Sequence, residues 1–191
     1  MMIWLHYKQS RYRLNGKFRT TGDIVYGNGS TGENSNVTDG DVSLSMGGVL
    51  AENHILNIST SYHYGNWGKP RGFNGPARAF TEVRNEENRL HTELCYEWNP
   101  ESVLEALSCN GYMDWGTRDY YQYKHSLVTG NRTSLDLVHY KDLYGGGRLF
   151  VRFRPVDEVK LTAGIDGYIF TLDNPSEIID YYSDTHGRNP G

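Results

Sequence analysis

Along this chain apolar and polar residues alternate one by one, the period of a strand whose two faces meet different surroundings. Leu90, Thr92, Leu94, Tyr96 and Trp98 alternate with His91, Glu93, Cys95 and Glu97. Leu56, Ile58, Thr60, Tyr62 and Tyr64 alternate with Asn57, Ser59, Ser61 and His63. Val159, Leu161, Ala163, Ile165, Gly167 and Ile169 do the same against Lys160, Thr162, Gly164 and Asp166. Few segments carry a helical period. The pattern predicts about eight strands, over 3–14, 18–26, 41–50, 54–64, 88–98, 103–124, 134–154 and 158–170.

The connections alternate in length. Short ones fall at 15–17, 51–53, 99–102 and 155–157; long polar ones fall at 27–40 and 65–87, and from Leu172 onward. Leu127 to Thr133 is a modest loop between two long strands, which are expected to project as an extended hairpin. Short–long alternation is the topology of an up-and-down meander with two unlike ends, as in outer-membrane barrels. A soluble sandwich would need Greek-key crossings. Opposed residues of a hairpin share a face, so each short turn predicts a register. Across 51–53, Met46 should oppose Ile58. Across 99–102, Leu94 should oppose Leu107, with Glu105 on the apolar face near the turn. Across 155–157, Val151 should oppose Leu161 and Arg154 should oppose Glu158. Across 15–17, Leu14 should oppose Phe18, with Gly16 in the turn. One face of the sheet is then apolar and aromatic. The other carries Arg11, Arg13, Arg19, Asp23, Asp41, His63, His91, Glu93, Glu97, Asn110, Asp114, Arg148, Arg152, Lys160 and Asp166.

Composition narrows the setting. Of 191 residues 37% are hydrophobic, too few for a bundle of membrane helices, and no stretch approaches the roughly 18 apolar residues one such helix needs. A membrane barrel is free of that limit, because only alternate residues face lipid. The 15 Tyr and 4 Trp favour strands and membrane–water interfaces. A net charge of -4 and the lack of a basic run argue against a nucleic-acid partner. Cys95 and Cys109 form no metal spacing; the register puts them on opposite faces, so no bond between them is expected. The N-terminus lacks the basic-then-apolar order of a signal peptide.

Candidate chemistry is sparse. Ser134 and His139 could be a hydrolytic pair by residue type only. Glu93 and Glu97 lie about 13–14 Å apart along one strand, too far to share acid–base work. No two His have local ligand spacing, so no metal and no cofactor is expected, and the chain reads as a non-enzyme. Gly145-Gly146-Gly147 lacks the Lys and helix of a phosphate loop and suits a bend or close packing. The 65–87 segment combines aromatics with Arg on what reads as a long loop. Trp67, Arg71 and Arg78 are the candidate ligand contacts, suited to an anionic ligand such as a ferric chelate or a lipid phosphate.

The stretch Tyr144 to Phe170, YGGGRLFVRFRPVDEVKLTAGIDGYIF, resembles the barrel of TonB-dependent outer-membrane receptors. A strand of the "YGG-x-L" kind descends to a short Pro-x-Asp/Glu turn and returns as "KLTxGxD" with aromatics. Tyr12 to Tyr26 has a similar flavour. The resemblance implies an outer-membrane receptor for uptake of a scarce ligand such as a ferric siderophore, haem or a cobalamin. Lipid and a small metal chelate would be its partners. It also implies a wide barrel with a lumenal plug and a box that recruits TonB. Residues 1–191 read as one partial barrel domain without plug or box, so contact with TonB would come only through parts outside this chain. Two other readings stay open: a complete eight-stranded structural or adhesive barrel, and a secreted carbohydrate-binding sandwich.

Overall fold

The computed structural model describes residues 2–7, 10–73, 79–126 and 128–181, with the backbone alone for 2–7, 70–73, 79 and 80. It is all-β, and no helix occurs among the described residues. The strands are β1 (Met2–Tyr7), β2 (Ser10–Thr21), β3 (Ile24–Val25), β4 (Thr31–Gly32), β5 (Val37–Ala51), β6 (His54–Phe73), β7 (Ala79–Trp98), β8 (Leu104–Ser126), β9 (Arg132–Val156), β10 (Val159–Asp173) and β11 (Ser176–Asp180). The main sheet runs β1-β2-β5-β6-β7-β8-β9-β10, each strand antiparallel to its sequence neighbour in that path. Past Asn174-Pro175 the chain resumes beside β9 as β11, so β10 and β11 form one interrupted eighth strand. His139 N–H bridges the interruption by donating to the Pro175 carbonyl at 3.0 Å. The sheet is an open meander, and β3–β4 form a separate two-stranded ribbon.

The predicted register holds in parity more than in detail. Met46 opposes Ile58 as expected. Leu94 opposes Gly111 rather than Leu107, a slip of four residues, and Val151 opposes Ala163 rather than Leu161, a slip of two. Both slips are even, so the side chains of these pairs keep their faces. The expected turn at 15–17 does not form. β2 runs through Asn15 and Gly16, because β5 offers it twelve consecutive partners and Asn15 Nδ2 donates across to Ser43 Oγ at 3.0 Å. Asn-Gly marks a turn only where its flanks have no better partner.

Glu105 also departs from expectation. A bulge between Leu104 and Ala106 makes it the extra residue of β8. The twist turns its carboxylate to Arg154, to Lys160 at 3.5 Å and to Arg152 at 3.9 Å. Arg154 therefore pairs with Glu105, not Glu158. Asp23 lies outside the sheet, where its carboxylate accepts from the N–H groups of Ser35 and Asn36. The long connections are shorter than read: β6 and β7 continue through most of 65–87, and β5 begins at Val37.

One face of the sheet is apolar over a limited height. It spans Tyr12–Phe18 on β2, Leu56–Tyr64 on β6, Leu90–Trp98 on β7, Leu107–Trp115 on β8, Leu143–Phe153 on β9 and Leu161–Ile169 on β10. Nothing covers it among the described residues: Leu94 is 43% exposed, Leu161 56% and Ile165 71%, and Leu135 is the one buried apolar side chain. Above this band the same face turns polar, through Asn88, Glu86 and Arg84 on β7 and Thr117 and Asp119 on β8.

The short turns and the band are both oblique to the strands. Tyr12, Met46, Ile58, Leu94, Gly111, Gly147 and Gly167 form one cross-strand row. Below that row the paired strand end is Ser10, two residues away, on β2, but Val156, nine away, on β9. The apolar band descends in the same direction, from Tyr12–Phe18 on β2 to Leu161–Ile169 on β10. A descent of about one residue per strand, with a ~3.3 Å rise against a ~4.8 Å strand spacing, tilts the strands by ~35° from the normal to that band.

Candidate functional site

The polar face carries cross-strand polar pairs at the height of the apolar band and just above it. Arg19 Nε lies 2.6 Å from Asp39 Oδ1, His63 Nδ1 lies 2.7 Å from Asp41 Oδ1, and His91 Nδ1 lies 3.0 Å from Asp114 Oδ1. Asn110 donates to Glu93 Oε1 at 2.5 Å. Each partner comes from an adjacent strand, where opposed side chains on one face come within reach. One pair spans two strands: Arg89 on β7 and Asp142 on β9 meet at 3.7 Å. Gly116 of β8 opposes both, and a Cβ there would sit 2.6 Å from the Asp142 carboxylate. The missing side chain opens the path between them. The Gly145–Gly147 run stays within β9, and the Tyr112 ring lies over Gly146, which is the close-packing role expected of it.

Above the band, β6 to β9 continue as one sheet, with Ala79 of β7 opposite Ser126 of β8. The expected long hairpin is present, and a second one, β6–β7, stands beside it. On the side of Asn34 the 22–36 segment docks against β6–β7: Asn34 Nδ2 donates to the carbonyls of Val83 at 2.8 Å and Lys69 at 3.2 Å. Its backbone lies so close over Gly68 that a side chain there would overlap it.

Of the three sequence candidates, Trp67 lies in β6 between Val37 and Asn85, not on a loop. Arg71 belongs to β6 with its side chain outside the described residues, and Arg78 lies outside them altogether. Trp67 shares its face with Asn85 and Tyr120, its neighbours in one row. Asn85 is only 6% exposed, and its Nδ2 has no hydrogen-bond partner. Tyr120 donates from its hydroxyl to Gln122 Oε1 at 3.0 Å. Burial first, then Asp136 and Tyr140, push the Tyr120 phenol above its ordinary value and keep it a donor. Asp136, opposite Gln122, holds Lys124 at 3.0 Å with Oδ2, while its Oδ1 is buried without a partner. Sequence reading missed Asn85, Tyr120 and Asp136. The clue was available: the odd-numbered positions of β7 share the face of Glu93 as far up as Val83.

Ser134 and His139 do not come together. They are five residues apart on β9 and face opposite sides, and His139 Nδ1 lies 2.6 Å from Asp119 Oδ1. No group of three or more His, Cys, Asp or Glu able to hold a metal occurs among the described residues. Cys95 opposes Asn110 and Cys109 opposes Tyr96, so the two thiols point to opposite faces. A comparison with protein-family models, with curated proteins and with solved structures finds no match to this chain.

Proposed function

We propose that this chain is part of the wall of an outer-membrane β-barrel, and that the barrel is a TonB-dependent receptor taking up a scarce ligand such as a ferric siderophore, haem or a cobalamin. The observation that carries the first half is the oblique apolar band. Its height on β7 and β8, Leu90–Trp98 and Leu107–Trp115, is nine residues, the length of a tilted transmembrane strand. Its slope matches that of the short-turn rim, and ~35° is the strand tilt of such barrels. A sheet packed on a soluble core has no reason to align its turns with its apolar edge. Trp98 and Tyr96 at the turn end, and Trp115, Tyr62 and Tyr64 at the far end, stand where interfacial aromatic girdles belong. The other face, with its paired charges, then lines the lumen. The two long hairpins project outside the cell, and the unpaired sides of β1 and β10 accept further strands of the barrel wall.

The receptor half of the reading rests on the likeness of Tyr144 to Phe170 to receptor hairpins and on the projecting hairpins, where Trp67 would meet ligand. Flotation with phospholipid vesicles tests the membrane half: after refolding from urea the protein should rise with the vesicles and resist carbonate extraction. A monodisperse protein in detergent-free buffer that ignores vesicles would contradict it. Uptake is tested separately, by growth on a single ferric chelate of a strain whose complete reading frame is deleted.

A further inference from the structure

We propose that an open cavity on the polar face, over Gly116, binds a small carboxylate with an apolar body, of the size of benzoate. The proposal needs that face to meet water and does not depend on the receptor reading. The cavity has a volume of about 210 Å³ and lies between the quartet Glu87, Arg89, Arg118 and Asp142 and the side chains of Phe170 and Leu172. These residues fall in three successive cross-strand rows of one face: Glu87–Arg118, Arg89–Gly116–Asp142–Leu172 and Tyr144–Phe170. Gly116, in the middle row, contributes no side chain, and that leaves the hollow. The quartet balances in charge but not in exposure. Arg118 Nη2 donates to Glu87 Oε2 at 3.2 Å, while the contacts of Arg89 are longer, 3.4 Å to Glu87 and 3.7 Å to Asp142. The Glu87 and Asp142 side chains are 14% and 21% exposed, those of Arg89 and Arg118 42% and 45%. The quartet thus turns its positive side to water. A guanidinium has five N–H donors, so both keep donors for a carboxylate to accept.

Asp114, one row below, does not line the cavity and lies 3.0 Å from His91 Nδ1. The other wall is apolar. Phe170 and Leu172 are 56% and 55% exposed although they stand on the polar face. Tyr144 braces the Phe170 ring edge-on, with centroids 6.5 Å apart, so the wall stands before a ligand arrives. Covering it favours an anion with an apolar body over a bare inorganic one. An apolar cavity of about 150 Å³ holds a benzene ring, so this one has room for a ring with one carboxylate.

The test is titration of the full chain in detergent micelles with 4-fluorobenzoate, read from the fluorine resonance against micelles alone. The matching benzamide keeps the ring without the charge, and acetate keeps the charge without the ring. The benzoate should bind saturably with a Kd of about 1 mM or below, the benzamide at least about tenfold more weakly, and an equal concentration of acetate should not displace it. Arg118→Gln should weaken binding by about tenfold, and Phe170→Ala by about fivefold or more. Glu87→Gln should instead tighten it, by about threefold or more, because it removes the carboxylate that competes for both guanidiniums. A misfolded variant cannot produce that gain. The proposal is overturned if the benzoate shows no saturable binding up to about 10 mM, or if the benzamide binds equally well. It is also overturned if Glu87→Gln weakens binding, since the guanidiniums would then serve only to hold the sheet together. Benzoate binding by a protein that ignores vesicles would leave this inference standing and remove the membrane reading; flotation without benzoate binding would do the reverse.

Discussion

Leu94→Arg places a charge in the middle of the apolar band. Leu94 lies four residues from Trp98 and four from Leu90, the ends of the band on β7. At a ~3.3 Å rise and ~35° tilt each end is ~11 Å away along the normal, so the new guanidinium would sit near a bilayer midplane. There Arg costs about 2–4 kcal/mol, or about thirtyfold to a thousandfold in the folding equilibrium. Steric cost is small, because Leu94 is 43% exposed. The same change at Leu161, at the lower edge of the band on β10, should cost at most about 1 kcal/mol. Ser59→Arg, on the polar face opposite Glu93, should cost little or nothing. Guanidinium unfolding from phospholipid vesicles, followed by tryptophan fluorescence, gives all three values. If Leu94→Arg costs no more than about 0.5 kcal/mol, the ordinary size for an exposed soluble site, the depth argument fails. It fails equally if Leu94→Arg and Leu161→Arg cost the same.

Gly116→Val should block the reach of Arg89 to Asp142, and a mutant cycle on that pair should lose its coupling of about 0.5–1 kcal/mol. Gly68→Val should expel the docked Asn34 segment, seen as faster proteolysis within 22–36 with the rest of the sheet still protected. Cys95 should react in vesicles with a charged, water-soluble maleimide and Cys109 with an apolar one, and oxidation should leave both thiols free in the monomer; a Cys95–Cys109 bond would refute the register of β7 and β8. Glu105→Gln should destabilise the sheet by about 1–2 kcal/mol through Arg154, Lys160 and Arg152, a loss that raised salt reduces.

What the chain disclosed by eye follows the edge of the apolar band. Inside the band one face is apolar, so 54–64 and 88–98 alternate visibly and their strands could be read at once. Above the band both faces carry polar residues, and 65–73 and 79–87 show no alternation although they are paired strands. The same cause hid the site: Asn85 looked like a loop residue until the register of β7 and β8 placed it between Trp67 and Tyr120. Turn signals misled where sheet partners outbid them, as at Asn15-Gly16. Bulges are invisible to parity counting, which is why Glu105 was assigned the wrong face. Away from the bulges, errors in register were even-numbered because the apolar face constrains parity but not distance along the strand.

The most direct test of the central claim is a nitroxide scan along β7 from Asn88 to Trp98 in phospholipid vesicles. Oxygen, which partitions into lipid, should relax labels best at Leu90, Thr92, Leu94 and Tyr96, with the maximum at Leu94. A water-soluble nickel complex should reach His91, Glu93, Cys95 and Glu97 instead, giving two period-two patterns in antiphase. Equal access of the nickel complex to Leu94 and Glu93 would mean that water bathes both faces, and that this sheet does not line a membrane.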